Sequence, residues 1–164
     1  MQGHGEGVIT AHATSSVRTS VRDPRRRERR EELERLTLVP EASFAGGAGH
    51  RARPEEPDEL RTCFERDRDR IVHSAAFRRL AGKTQVVVYP TDHQRTRLTH
   101  ALEVAQAAVA MARGIGANAT LADAIALGHD CGHGPGGHAS EDAFDQFVPG
   151  GYDHGPWGAD VVLR

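Results

Sequence analysis

The segment from residue 128 to residue 138 constrains the fold more than any other part of the chain. Its eleven residues include five glycines and a proline, which together cannot continue a helix. The residues before it, from about position 120, place apolar side chains at helical spacing. We therefore expect a helix whose last turn carries His129 and Asp130, followed by a loop that carries His133 and His138.

The same segment concentrates side chains that bind metal ions. His129 and Asp130 are adjacent, His133 and His138 follow, and Glu141 comes three residues later. Imidazole nitrogens and carboxylate oxygens suit first-row divalent metals, whereas thiolate-rich sets favour structural zinc. Ten histidines in 164 residues produce some clustering by chance, so a structural role is the alternative for each. The density of the cluster favours a metal site with acid–base groups beside it, as in metal-assisted hydrolysis.

Composition indicates that part of the chain does not pack into a core. Only 38% of the residues are hydrophobic and 5% are aromatic, which is low for a chain that is folded throughout. Residues 1–57 are rich in Gly, Ser, Thr, Arg and Glu and have no sustained apolar period. We expect a flexible, disordered leader over residues 1–57, dispensable for any activity, and one helical domain over residues 58–164.

Charge and cysteine usage favour neither a nucleic-acid-binding arm nor a disulfide framework. Residues 25–30 form a basic run that could attract nucleic acid or an anionic surface, but three glutamates follow closely and the net charge is −2. A solvated tail is therefore favoured over a binding arm. The sequence has no signal-peptide pattern and no apolar run of membrane-spanning length. Cys63 and Cys131 have no paired spacing. These features favour a cytoplasmic protein.

Beyond residue 58 the chain has helical periods with few breaks. Thr120 and Asp123 resemble a capping box at the start of one helix. Residues 86–89 are β-branched and aromatic and stop at a proline, which predicts a short strand or an extended loop. The overall pattern is all-α. Helices are predicted over residues 66–80, 97–113, 120–130 and 140–147, and from about residue 156 onward.

Five consecutive segments carry a family resemblance. They run from Phe64 to Ile71, from Ser74 to Leu80, from Lys83 to Val86, from Arg95 to His100, and over His129 and Asp130. In this order they resemble the deoxyguanosine triphosphate triphosphohydrolases of the HD superfamily. The resemblance covers about residues 62–164 and implies an all-α HD-domain helical fold, incomplete at its C-terminus.

The resemblance implies a metal site. Its ligands would be His100, His129 and Asp130, and the ion would be Mn²⁺, Mg²⁺ or Fe²⁺. In the family an aspartate from a later helix completes the ligand set, and neither Asp153 nor Asp160 matches its position. Because the family's chains are also longer, we expect this chain to be an N-terminal fragment that is inactive by itself.

The implied reaction converts a deoxynucleoside triphosphate, dGTP above all, to a deoxynucleoside and tripolyphosphate. By the same resemblance, His133 and His138 face the phosphates and the leaving oxygen. Glu141 orients His138 or shuttles a proton, and His154 is a further active-site histidine.

Two more residues are implied to bind the substrate. Arg97, one helical turn before His100, would clamp a phosphate, and the alternative is an exposed helix arginine. Gln85 would hydrogen-bond the deoxyribose and help to exclude a ribonucleotide, and the alternative is a solvated residue at the edge of a strand.

The chain departs from the family's pattern in the loop. Cys131 stands where an apolar residue is usual, and we interpret it as a small hydrophobic residue. The pair Gly136–Gly137 replaces a bulkier residue of many relatives, which we expect to loosen the loop that positions His138.

Other functions remain open at this point. The chain could be an inactive remnant with weak metal or nucleotide binding, since residues 161–163 are apolar with nothing left to cover them. It could be another HD phosphohydrolase, such as a cyclic-nucleotide or alarmone phosphodiesterase. A regulator that binds single-stranded DNA is a third possibility, but no aromatic stacking pattern supports it. The full-length form is expected to be a homo-oligomer without membrane contact.

Overall fold

The computed structural model describes residues 8–10, 18–20, 26–83, 85 and 93–163. Helices dominate these residues, and the all-α prediction is confirmed. The one pair of strands described is short and antiparallel, with β1 (Val8–Thr10) against β2 (Arg18–Ser20) and Ile9 opposite Thr19. The predicted strand or loop at residues 86–89 lies outside the described part of the chain.

Seven α-helices and two shorter helical turns account for most of the described chain. None of the described helices is both long enough and apolar enough to cross a membrane. The helices are α1 (Arg26–Thr37), α2 (Cys63–His73), α3 (Ala75–Arg79), α4 (Arg97–Ile115), α5 (Ala119–Gly128), α6 (His138–Asp145) and α7 (His154–Trp157), with a 3₁₀ turn at Leu80–Gly82 and a π turn at Gly158–Val162.

The helix predicted over residues 66–80 is divided in two. It begins earlier than expected because Thr62 and Glu65 form a capping box, in which each side chain accepts a hydrogen bond from the other residue's backbone N–H. Ser74 then adopts an extended backbone, which ends α2, and its Oγ accepts the N–H of Phe77 at 3.1 Å. A serine that caps the second helix therefore interrupts the apolar period.

Helices α4 and α5 differ from the prediction only at their ends. Gly116 ends α4 in a left-handed conformation with φ +74°, so the helix passes through Gly114. Asn118 caps α5, since its Oδ1 accepts the N–H groups of Thr120 and Leu121, both at 3.1 Å. The capping box expected at Thr120 is therefore wrong, because an amide oxygen two residues earlier already satisfies the first turn.

Small side chains let α4 and α5 pack closely. Ala101 and Ala105 of α4 are buried against Leu127 of α5, and Leu80 is fully buried in the same cluster. Cys131 also belongs to this core, which agrees with its interpretation as a small hydrophobic residue. Burial raises the pKa of its thiol to about 11. The core holds the C-terminal end of α5 rigidly against α4.

The apolar end of the chain is partly covered. Val162 and Leu163 pack against the core cluster, and Val161 alone of these residues is mostly exposed, at 54%. The prediction that residues 161–163 have nothing to cover them is therefore wrong for two of the three. The π turn that follows α7 brings them back to the helical core.

Residues 26–57 differ from the flexible leader that composition predicts. In α1, Glu31 accepts the backbone N–H of Gly47 at 3.0 Å, and Glu34 accepts that of Ala45 at 2.7 Å. Arg51 reaches α2, where its Nη1 lies 2.6 Å from Asp67 Oδ1. The glutamates after the basic run thus organise a loop, which low hydrophobicity alone does not indicate. The division of the chain at residue 57 stays a prediction.

We expect deletion of residues 1–57 to destabilise the helical region. Val39 donates its N–H to Gly116 O at 3.0 Å and packs beside Gly116, and Ala45 is buried. Loss of these contacts should lower Tm by roughly 5 °C or more, measured by thermal unfolding followed by circular dichroism. Deletion of residues 1–25 is the matched control, because it leaves α1 and its contacts in place. Equal Tm values for both deletions would show that residues 26–57 are dispensable after all.

Candidate metal centre and active site

Helices α4 and α5 bring the three predicted metal ligands together. His100 lies in the first turn of α4, whereas His129 follows the last residue of α5 and Asp130 comes next. One ligand atom from each of the three lies within 4.8 Å of the others. The close packing of the two helices is what makes residues thirty positions apart neighbours.

A backbone hydrogen bond prepares His129 for metal binding. Its Nδ1 lies 2.6 Å from Ala126 O, an acceptor, so Nδ1 carries the ring proton and Nε2 keeps its lone pair. Nε2 lies 3.4 Å from Asp130 Oδ1. Metal-binding histidines in proteins are commonly held in this way by a second hydrogen bond.

Asp130 is a buried carboxylate with an incomplete set of partners. Arg97 Nη1 lies 3.2 Å from Asp130 Oδ2, and both side chains are at most 4% exposed. The ion pair lacks hydrogen-bond geometry, so Asp130 Oδ2 has no hydrogen-bond donor among the described residues. A buried carboxylate oxygen in this condition is costly unless a cation completes its coordination.

Arg97 is therefore not the exposed helix arginine of the alternative interpretation. Its guanidinium is committed to Asp130, and it lies against the loop at Gly137, where a Cβ atom would be 2.2 Å from Arg97 Nη2. Gly137 has φ +61°, a conformation that only glycine adopts readily with its ψ of −135°. The close approach of Arg97 therefore requires a glycine at this position, and the expectation that the glycine loosens the loop stays a prediction.

A second group of titratable side chains lies beside the first. Glu141 of α6 accepts hydrogen bonds from His138 Nδ1 at 2.6 Å, from the backbone N–H of His154 at 3.0 Å, and from His154 Nδ1. Burial raises the pKa of Glu141, but these hydrogen bonds outweigh it and lower the pKa to about 2. Glu141 is therefore an anion that fixes two imidazole rings.

His133 joins the two groups. Its ring stacks on that of His154, with centroids 3.6 Å apart and planes 11° apart, and its Nε2 lies 3.2 Å from Asp130 Oδ1. Burial, reinforced by the positive charge of Arg97 and by the electrostatic interaction with His154, lowers the pKa of His133 to about 4 despite the neighbouring carboxylates. His133 is thus a neutral imidazole at pH 7.

Two residues that the sequence does not single out hold the loop in place. Lys83 Nζ donates to His133 O, and Tyr152 Oη donates to Gly132 O. Gly132 itself lies so close to α7 that a Cβ atom there would be 2.1 Å from His154 O. Spacing gives no signal for these contacts, because Lys83 and His133 are fifty residues apart.

The remaining predicted residues lie apart from the two groups. Gln85 is partly buried, and its Oε1 has no hydrogen-bond partner among the described residues, which include no neighbour of Gln85 on either side. Asp153 is 71% exposed and caps the N–H of Gly155, and Asp160 is exposed. In the described part of the chain, the ligand cluster therefore contains a single carboxylate, that of Asp130.

Comparison with known proteins places this arrangement in a family. A family model of the HD domain matches residues 97–164, the segment that carries both groups. A deoxyguanosinetriphosphate triphosphohydrolase-like protein of Caldanaerobacter subterraneus subsp. tengcongensis is 52% identical over 137 residues, which are 83% of this chain and 40% of that protein. The chain belongs to the HD-domain family, among the deoxyguanosinetriphosphate triphosphohydrolase-like proteins.

Other relatives of the HD-domain chain carry the same name. One from Clostridium perfringens is 50% identical over 139 residues, which are 84% of this chain and 41% of that protein. One from Cereibacter sphaeroides is 48% identical over 130 residues, which are 77% and 34% of the two chains. The family resemblance drawn from the motifs is confirmed. The chain spans about two-fifths of the length of the first two relatives.

The donors of this HD domain fit a divalent metal ion. HD domains bind such ions, and His100, His129 and Asp130 offer two imidazole nitrogens and one carboxylate oxygen within 4.8 Å of one another. The prepared lone pair of His129 and the incompletely paired oxygen of Asp130 both favour a cation. The roles of the individual side chains stay predictions.

Proposed function

We propose that this chain carries most of the active site of a metal-dependent phosphohydrolase whose full-length form converts deoxynucleoside triphosphates, dGTP above all, to deoxynucleoside and tripolyphosphate. One observation carries the proposal. Asp130 of the ligand cluster lies 3.2 Å from His133, and His133 stacks on His154. His154 belongs to the second group of titratable side chains, which also contains His138 and Glu141. Relatives named for deoxyguanosine triphosphate hydrolysis support the choice of substrate.

The described residues have different roles in the proposed reaction. His100, His129 and Asp130 would hold the metal ion, which when bound lowers the pKa of a water ligand and offsets charge on phosphoryl oxygens. Arg97 holds Asp130 in place, because its guanidinium lies 3.2 Å from the carboxylate inside the protein. Arg97 therefore acts first on the ligand, and direct phosphate binding by it stays a prediction.

Proton transfer falls to the group around Glu141. His138 is 75% exposed, and Glu141 accepts its Nδ1–H, so Nε2 remains available to exchange a proton with the leaving oxygen. Glu141 stabilises the imidazolium that forms when His138 takes up a proton. His133, buried and neutral, can donate a single hydrogen bond to a phosphate oxygen.

We also propose that residues 1–164 alone hydrolyse deoxynucleotides slowly or not at all. Three ligands with one carboxylate neutralise a divalent ion incompletely and leave its geometry less fixed. Assembly of the full-length form into a homo-oligomer, location in the cytoplasm and a response to single-stranded DNA stay predictions. A different HD phosphohydrolase activity is the alternative.

Product analysis tests the proposed reaction. The protein extended to the length of its relatives, supplied with manganese and dGTP, should release deoxyguanosine and tripolyphosphate in equal amounts, resolved by ion-exchange chromatography. GTP is the matched substrate, and we expect it to react more slowly because Gln85 is predicted to contact the sugar. Release of dGMP and pyrophosphate would contradict the proposal, because it places the attack at another bond. Cleavage of cyclic nucleotides alone would favour the alternative.

A further inference from the structure

The only lysine of the sequence lies beside the loop between α5 and α6. Of the 21 lysine and arginine residues, twenty are arginines and one is Lys83. Lys83 comes directly after the 3₁₀ turn at Leu80–Gly82 and is half-buried. Its Nζ donates a hydrogen bond to the backbone carbonyl of His133. An ammonium group is a compact point charge, whereas a guanidinium is a planar fork of donors, so an arginine is not equivalent at this carbonyl.

Two backbone hydrogen bonds fix the point from which this side chain extends. The N–H of Lys83 donates to Leu80 O at 3.2 Å, and Leu80 is fully buried in the core. The carbonyl of Lys83 accepts the N–H of Arg97, the first residue of α4, at 3.1 Å. That N–H lies in the first turn and has no acceptor within its own helix. Lys83 therefore joins the core, the start of the helix that carries His100, and the loop that carries His133.

The ammonium group of Lys83 occupies an unfavourable environment for a cation. Burial lowers the pKa of Lys83, and the charges of Arg97 and Arg79 act in the same direction, although Asp130 opposes them. The bond to His133 O offsets part of this cost, because a charge-assisted hydrogen bond is roughly twice as strong as a neutral one. The contact with the loop is thus the interaction that compensates for placing a cation here.

We propose that Lys83 is a positioning residue, which fixes the backbone of His133 so that its ring lies between the metal ligands and the residues that transfer protons. The ring is 3.2 Å from Asp130 Oδ1 on one side and stacks on His154 on the other. The N–H of His133 donates to Asp130 O at 3.1 Å, and Lys83 holds the carbonyl of the same residue. This inference rests on the proposed function, in which His133 donates to a phosphate oxygen. Lys83 acts through His133.

Hydrogen exchange of the loop tests the proposal without metal or substrate. In residues 1–164, Lys83→Met keeps an unbranched side chain and removes the donor. The amide hydrogens between α5 and α6 should exchange about tenfold or more faster, since a hydrogen bond from a charged group is lost, while those of α4 and α5 stay unchanged. Mass spectrometry of peptic fragments measures both. Arg78→Met is the matched control, because Arg78 also donates to a backbone carbonyl, that of His73, and should leave the loop unchanged.

The unaltered chain provides a second measurement, which decides the question if Lys83→Met does not fold. Because Lys83 is the only lysine, labelling with ¹⁵N-lysine gives a single side-chain ammonium resonance. Protons that are hydrogen-bonded to His133 O should exchange with water about tenfold or more slowly than those of free lysine. Exchange at the rate of free lysine would overturn the proposal.

Activity of the protein extended to the length of its relatives tests the consequence for the reaction. In Lys83→Ala, kcat for dGTP should fall roughly 10- to 100-fold, while KM and the cobalt(II) spectrum of the cluster around Asp130 change little. Added propylammonium should restore part of the loss, because it fills the space of the missing side chain and donates to the same carbonyl. A purely structural defect would not respond to the amine.

Two outcomes would overturn the role of Lys83. One is loop exchange in Lys83→Met equal to that of the parent, and the other is full kcat in Lys83→Ala without the amine. If the extended parent protein does not hydrolyse dGTP at all, the proposed function fails, whereas the exchange of the loop and of the ammonium protons still decides whether Lys83 holds His133 in place.

Discussion

Replacement of Asp130 by alanine in the protein extended to the length of its relatives is expected to abolish hydrolysis of dGTP. Asp130 is the one carboxylate of the ligand cluster in the described part of the chain, and it also contacts His133. Removal of this carboxylate should lower activity by more than the ~10- to 100-fold that follows removal of an outer-shell partner, because it takes away both a negative charge and a bond to the metal. Steady-state assays of tripolyphosphate release measure the effect.

Stability must be measured beside activity in this experiment. Alanine at position 130 leaves the guanidinium of Arg97 buried without its carboxylate, and breaking a buried pair in this way costs about 3–5 kcal/mol. Asp130→Asn preserves the shape of the side chain and separates loss of the charge from loss of packing. Asp142→Asn, exposed on α6, should retain full turnover as the control. Substantial tripolyphosphate release by Asp130→Ala would contradict the assignment of this residue.

The parts of the site that the sequence predicts are those that follow from spacing within one helix or one loop. His129 and Asp130 are adjacent at the end of a helix, and Glu141 follows His138 by three residues, so its carboxylate reaches the ring one turn away. His100 could be added only through the family resemblance. No local pattern shows that α4 packs against α5 at this point.

The contacts that the sequence does not predict join distant segments. Arg97 has the pattern of a surface residue on an amphipathic helix, and its burial is visible only once the loop at Gly137 lies against it. Lys83 and Tyr152 bind the backbone of the same loop from two other segments. Tertiary contacts of this kind depend on shape and on backbone acceptors, for which composition and period carry no information.

Residues 26–57 depart from the predicted flexible leader for a different reason. Few apolar residues predict disorder when burial of side chains is the main source of stability. In α1 the stabilising groups are carboxylates that accept backbone N–H groups, as Glu31 does from Gly47 and Glu34 from Ala45. A run of arginines and glutamates therefore encodes a helix and a loop here, although its hydropathy is that of a solvated tail.

Replacement of Gly137 by alanine is expected to have the second largest effect, on both stability and metal binding. At φ +61° and ψ −135° a side chain is strained, and its Cβ would lie 2.2 Å from Arg97 Nη2, so the guanidinium must leave Asp130. We expect a loss of about 3 kcal/mol or more in the free energy of unfolding, from backbone strain of ~1–3 kcal/mol together with the disrupted ion pair. Urea unfolding of residues 1–164 provides the value.

Gly114→Ala is the matched control for this change. Gly114 lies within α4, and a methyl group added there would meet no atom within 4 Å outside its own helix turn, so alanine should stabilise the chain by up to about 1 kcal/mol through the lower entropy of the unfolded state. Metal affinity of the cluster around Asp130 should fall in Gly137→Ala and stay unchanged in Gly114→Ala. Gly137→Ala could instead unfold at the same urea concentration as the parent and bind metal equally well. That result would show that the loop is loose, as the sequence alone suggests, and that the contact of Arg97 with Asp130 does not require glycine at position 137.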